Sequence, residues 1–337
     1  MNFMFRFFSK KISILLLSPF FFIACSTDFN PNAEWKETTL VYSLLNQDED
    51  TTWVRVQRCF QGDGNLLEFA KEADSNYYKE GELKITLTEY NGTTSSIGDP
   101  TGRTFTAQRT TIRGSEDGLF YSTERPVYFF VTAGKLQTDK VYELKIENLK
   151  TGNIVSSVTS LINDEIKINY PYTSFDFTKS SGSDRYAEIK WTVDESVAIS
   201  QPAYELYYTE KKTGKTKKVE HSGPIVSHGS KNTLTASFYQ SNYLALMRER
   251  FQEENYSSKS LRIVDSIQVS INLANQEFSD YLEFNTITSS GLQEKPGYTN
   301  IKNGIGLFAS RRKVNQKAAF TNRITTAMHD SLSYWFE

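Results

Sequence analysis

The chain has 337 residues, with 38 Lys and Arg against 40 Asp and Glu, 14% aromatic residues and two cysteines. The near-neutral balance without a basic patch excludes nucleic acid as a partner, and two cysteines exclude a disulfide-stapled scaffold. The length is enough for two domains of ordinary size.

Arg6, Lys10 and Lys11 form a basic start, followed by an apolar stretch of 12 residues, Ile12–Ile23. A membrane-crossing helix needs about 20 residues, so the stretch fits a cleavable export signal. It runs into Phe22-Ile23-Ala24-Cys25, the pattern of a lipobox, in which small Ala24 precedes the cysteine that takes diacylglycerol. Phe22 stands where Leu is commoner. Residues 1–24 are therefore read as a lipoprotein signal peptide, Cys25 as the lipidation site and residues 25–36 as a tether. Each buried acyl methylene contributes roughly 0.8 kcal/mol, so two or three chains anchor stably. The signal holds three basic and no acidic residues, which leaves 35 basic against 40 acidic, or −5, over the remaining 313 residues. Ser26 follows the cysteine where an inner-membrane retention signal would have Asp, so the outer membrane is the expected destination. Asp28 alone is a weak surface-export signal, and the periplasmic face and the cell surface both stay open.

Beyond the signal, apolar and polar residues alternate repeatedly with period two, the mark of antiparallel strands with one face in a core. Leu83, Ile85 and Leu87 form one such run; Tyr142, Leu144 and Ile146 form another. Ala187, Ile189, Trp191 and Val193 follow, then Ile267, Val269, Ile271 and Leu273. Turn chemistry separates them at Asn91-Gly92, Lys150–Asn153, Ser181–Asp184 and Lys212–Lys215. Helices are expected to be few. Asn65 with Glu68 opens a short one through Leu66, Leu67, Phe69 and Ala70, and a second runs from about Ser241 to Phe251. Residues 316–329 read as a third helix or a frayed tail. The fold class expected is mainly β: two antiparallel, immunoglobulin-like β-sandwich domains with a few short helices. The N-terminal one spans 37–165 and the C-terminal one 166–312, with 313–337 as a tail. The division rests on length and on the break at Tyr170-Pro171-Tyr172.

One internal echo bears on this. Tyr142-Glu143-Leu144 precedes Lys150-Thr151-Gly152, and Tyr204-Glu205-Leu206 precedes Lys212-Thr213-Gly214 at the same spacing, an offset of 62 residues. A duplicated unit and two hairpins converging on one turn both fit, and no further residues align across the offset.

No chemistry-bearing pattern rises above background. His221 and His228 bracket a Ser-Gly-Pro loop without the spacing of a helical zinc site, and read as solvated loop residues; His329 stands apart. Asp48-Glu49-Asp50 and Gly62-Asp63-Gly64-Asn65 are oxygen-rich but do not continue into a calcium loop. Gly102-Arg103-Thr104 forms no phosphate cradle, and no Gly-x-Ser-x-Gly elbow occurs. Cys59 suits a small buried strand residue better than a nucleophile. No catalytic, cofactor-binding or metal-ligating residue is singled out, and no cofactor is implied. Trp53, Trp191 and Trp335 are candidates for a glycan-stacking platform, although Trp191 falls on an apolar strand face. The Gly-, Ser- and Thr-rich segment Asn91–Arg103 reads as a long recognition loop.

Val41–Asn46, Val54-Arg55-Val56, Phe60-Gln61-Gly62, Asp74–Tyr78 and the late motif Asn300–Ser310 together resemble uncharacterised Bacteroidota outer-membrane lipoproteins. Some members of that family are encoded near TonB-dependent receptors, and none has an activity that transfers. The resemblance implies an all-β lipoprotein held to the membrane by lipid on Cys25. An accessory or binding role beside an outer-membrane β-barrel receptor or secretion component follows, with a glycan-binding or glycan-processing surface protein as the alternative. In the late motif, the glycines read as a tight backbone passage beside the apolar anchor Leu307 and Phe308, closing the second domain.

Overall fold

The computed structural model describes residues 38–59, 66–113, 124–252, 262–286, 297–321, 324 and 326. Cys25, His329, Trp335 and the Gly62–Asn65 run lie outside the described residues. Glu37–Glu337 form one compact unit.

The alternating runs become strands, and the chain is mainly β with several sheets. Its first half comprises β1 (Thr38–Leu45), β2 (Thr51–Cys59), β3 (Leu83–Thr93), β4 (Ser96–Thr106), β5 (Gln108–Arg113), β6 (Glu124–Val131), β7 (Val141–Asn148) and β8 (Ile154–Ser160). Two short helices, α1 (Leu66–Lys71) and α2 (Ala73–Asn76), follow β2. The second half adds β9 (Lys167–Tyr170), β10 (Ser174–Phe175), β11 (Lys179–Ser181), β12 (Asp184–Thr192), β13 (Ile199–Glu210), β14 (Thr216–Ser222), β15 (Val226–Ser227) and β16 (Thr233–Tyr239). Helix α3 (Gln240–Gln252), β17 (Arg262–Ala274), helix α4 (Gln276–Thr286) and β18 (Gly304–Phe320) complete it. Among the described residues no helix is long and apolar enough to cross a membrane.

One large sheet runs β14-β13-β17-β18-β1-β2-β6-β5, and two smaller sheets, β4-β3-β7-β8 and β11-β12-β16 with β9, accompany it. Two cores result. In the first, Val41, Val54, Val56 and Phe130 of the large sheet meet Ile85, Leu87, Tyr142 and Leu144 of β3 and β7. In the second, Tyr204, Leu206, Val269 and Ile271 meet Ile189, Trp191 and Phe238, and α3 adds Tyr243, Met247 and Phe251. Each large apolar side chain so buried contributes roughly 1.5–3 kcal/mol relative to exposure. Trp191 satisfies its one donor by hydrogen bonding from Nε1 to Ser200 Oγ at 3.0 Å. The chain passes from the first core at Leu161 to the second at Ile162.

β18 belongs to both. Gly304–Ser310 pair in parallel with Thr39–Leu45, whereas Arg311–Ala318 pair antiparallel with Ile267–Ala274. Period-two alternation then sends Phe308 into the first core and Ala318 into the second. The Asn300–Ser310 motif therefore closes the first core, not the second as its position in the chain suggests. The glycine reading is specific: a Cβ on Gly306, whose φ is +124°, would sit 1.9 Å from Val41 O. Asn300 locks the passage, donating from Nδ2 to Phe308 O at 2.6 Å and accepting from Phe308 N at 3.0 Å. Of the segment 316–329, read as a helix or a frayed tail, residues 316–320 instead continue β18, held by pairing to β17 and β10, whereas Ile324 and Thr326 are helical.

The two halves of the 62-residue echo fold alike. Gly152 N donates to Asn148 O and Asn148 N to Asn153 O; Gly214 N donates to Glu210 O and Glu210 N to Lys215 O. Both glycines have positive φ, +71° and +64°, which glycine accommodates without the steric penalty of a side chain. Tyr142 and Tyr204 sit at equivalent, fully buried positions of the two cores.

Candidate functional site

Three surfaces emerge from this frame. The first lies on the outer face of the large sheet. Alternation along β2 sends Val54 and Val56 inward and Trp53 and Arg55 outward. Trp53 is 50% exposed and packs at 5.3 Å against Phe129, directly opposite on β6. Val131, the next outward residue of β6, is 49% exposed, and Leu44 and Tyr42 of β1 are half-buried on the same face. Cross-strand aromatic pairs stabilise a sheet by a few tenths to about 1 kcal/mol, yet this one leaves half of an indole in solvent. An apolar patch of that kind marks interaction surfaces. Of the three tryptophans weighed as a platform, Trp53 alone is both described and exposed, since Trp191 is core.

The second surface is the Asn91–Arg103 segment, which is not a loop. It forms the distal part of the β3–β4 hairpin, turning at Thr93–Ser96, with register irregularities on either side of Tyr90. Asn91-Gly92 therefore lies in the strand and not at the turn. Residues 91–102 are all exposed, so this two-stranded arm has no core face to supply an alternating pattern. Its base is tied down by Glu89, a buried carboxylate that accepts hydrogen bonds from Thr101 Oγ1 at 2.8 Å, Arg103 Nη1 at 3.1 Å and Tyr142 OH at 2.8 Å. Burial, reinforced by Glu89, pushes the Tyr142 hydroxyl well above the usual phenol range.

The third is a cavity of about 410 Å³ at the seam between the two halves. Phe278 and Leu282 of α4, Ile199 of β13 and Ile225 supply apolar walls, and Arg311, Arg312 and Lys313 of β18 and Glu49 are the charged residues of the lining. Arg312 is the seam's fastener. It donates from Nε to Asp48 Oδ2 at 2.8 Å, from Nη2 to Asp48 Oδ1 at 3.3 Å and from Nη1 to Asn163 O at 2.8 Å, and it pairs with Asp164 at 2.7 Å. Arg311 pairs with Glu49 at 3.3 Å. The Asp48–Asp50 run is a turn with exposed residues, and two of them, Asp48 and Glu49, also pair with β18. Lys313 reaches Glu205, which also binds Lys218 and the Tyr207 hydroxyl. Burial alone would raise the Glu205 carboxyl, but the hydrogen bonds from Lys313, Tyr207 and Lys218 outweigh it and hold the pKa at about 2.

The histidines read as solvated loop residues sit elsewhere. His221 is on β14, with Nδ1 3.1 Å from Tyr204 OH and its ring against Tyr204 and Phe238; burial lowers its pKa. His228 places Nδ1 3.0 Å from Val197 O. Among the described residues no group of three or more His, Cys, Asp or Glu is arranged to hold a metal ion. Cys59 is a half-buried strand residue whose thiol burial pushes up, the opposite of nucleophile activation. Helix α4 and the seam cavity had no signal in the sequence beyond Phe278, Tyr281 and Leu282 at helical spacing.

No protein-family model matches the chain, and no curated protein sequence does. Among solved structures, the chain is similar to the C-terminal globular domain of an oligosaccharyltransferase from Pyrococcus abyssi, at 10% identity and a TM-score of 0.20 over 70% of this chain and 46% of that one. It is also similar to a β-glucuronidase of Bacteroides uniformis, at 10% identity and a TM-score of 0.16 over 80% of this chain and 26% of that one. The chain thus spans less than half the length of either.

Proposed function

We propose that this chain is a non-enzymatic accessory lipoprotein of the bacterial outer membrane, anchored by lipid on Cys25, which binds another envelope protein through its Trp53 face. The two cores, each enclosed by facing sheets, are read as two immunoglobulin-like sandwiches. The observation that carries the reading is exposed Trp53, packed on half-buried Phe129 beside exposed Val131 on the outer face of a large sheet. Tryptophan anchors of this kind carry a disproportionate share of interface energy. A β-barrel receptor or secretion component is the partner expected, in line with the resemblance to Bacteroidota lipoproteins.

The test is recovery of the tagged native lipoprotein from solubilised outer membranes, alongside a Trp53→Asp variant. The position is half exposed, and circular dichroism of the variant checks that the sheet is kept. The reading expects a stoichiometric membrane partner with the native protein and its loss with the variant; equal recovery with both removes Trp53 from the interface. A glycan-binding face is the second reading, favoured by the half-exposed indole beside exposed Arg55, since indoles stack well on apolar ligand faces. Retention on a glycan array, abolished by Trp53→Asp, distinguishes it.

A further inference from the structure

We propose that the seam cavity binds a small amphiphile with an anionic head and an apolar body, of the medium-chain carboxylate class. Its volume of about 410 Å³ falls in the range of roughly 300–1,000 Å³ typical of small-ligand sites, which favour boundaries between structural halves. Phe278 and Leu282 are four residues apart on α4 and so share one helix face, which is turned to the cavity. Ile225 is 57% exposed and lines the same cavity. A single exposed isoleucine needs no explanation; one that completes an apolar wall with a phenylalanine and a leucine offers a complementary surface to an alkyl chain.

Charge selects the head. Arg312 is engaged by Asp48 and Asp164 and Lys313 by Glu205, so the cation open to an anionic head is Arg311, which meets Glu49 alone. Arg311 and Lys313 are two apart on β18 and therefore point to the same side. Arg311 is 55% exposed and meets Glu49 through one nitrogen at 3.3 Å, whereas a guanidinium presents five N–H donors and suits bidentate capture of a carboxylate. Lys313 adds positive charge but is held by Glu205, which leaves Arg311 as the principal head-binding group.

Equilibrium dialysis of labelled decanoate tests this, using the whole chain with Cys25→Ser so that neither lipid nor detergent competes, and decan-1-ol as the uncharged control. The expected result is one saturable decanoate site per chain, binding at least tenfold tighter than decan-1-ol. Arg311→Glu should weaken decanoate at least tenfold while leaving decan-1-ol unchanged. Ile225→Asp, at an exposed position, should weaken both. Absence of saturable binding overturns the proposal, as does equal affinity for the alcohol or wild-type affinity in both variants. The result is independent of whether a protein partner uses the Trp53 face.

Discussion

Arg311 and Arg312 are adjacent on one strand, yet the structure assigns them very different energetic weights. Arg312 has a side chain 15% exposed, and its guanidinium binds Asp48 bidentately, Asp164, and the main-chain carbonyl of Asn163. Hydrogen bonds involving charged groups contribute about 1.5–3 kcal/mol. The partner carboxylates are 47% and 68% exposed, so solvent screening discounts each pair. Arg312→Ala is therefore expected to lower the unfolding free energy by about 2–3 kcal/mol. Arg311→Ala removes one exposed contact and is expected to change it by less than about 1 kcal/mol. Arg312→Lys should not restore the loss, because an ammonium cannot reproduce the planar fork. Urea unfolding followed by far-ultraviolet circular dichroism and by tryptophan fluorescence measures all three. Because β18 feeds both cores, the two signals should fall in one transition for the native protein. Equal effects of the two alanine variants, or full rescue by lysine, would refute the account of the seam.

Three further outcomes are expected. Gly306→Ala should destabilise by about 3 kcal/mol or more, since positive-φ strain adds to a Cβ 1.9 Å from Val41 O; thermal unfolding reads this directly, and a neutral result would mean that the parallel β1–β18 pairing is wrong. Glu205 has a folded pKa of about 2, depressed below its ordinary value, so its contribution is present above about pH 4.5 and is lost as pH falls toward 2. A Glu205→Gln variant should accordingly show a shallower acid loss of stability than the native protein across that window, and parallel profiles would contradict the ion-pair network. Replacing Cys25 with Ser should move the protein from the membrane fraction to the soluble fraction, and continued membrane association would remove the lipid anchor.

The strands were legible where one face meets a core and the other meets water. Ile267–Leu273 and Ala187–Val193 alternate because each lies in an antiparallel pair whose inner residues reach Trp191 and its neighbours. The β3–β4 arm was illegible as strand for the complementary reason: residues 96–102 contact no core, so nothing constrains their polarity, and Gly and Pro read as loop. β18 was misread because one strand serves two cores, with the charged run Arg311–Lys313 where it crosses the seam. A run of three cations looks like a solvated surface until the topology brings Asp48, Glu49 and Glu205 to it from residues more than a hundred positions away. Of the candidate site, exposed Trp53 was among the residues singled out. Phe129 was not, because its pairing depends on the register of β2 with β6.

The central claim is that a partner in the outer envelope docks on the Trp53 face. Placing a photo-crosslinking amino acid at Val131, beside Trp53, in cells that produce the native lipoprotein tests it most directly. One discrete cross-linked outer-membrane protein, lost when Trp53→Asp is added, is the predicted result. No cross-link from Val131, or one unaffected by Trp53→Asp, would contradict the claim.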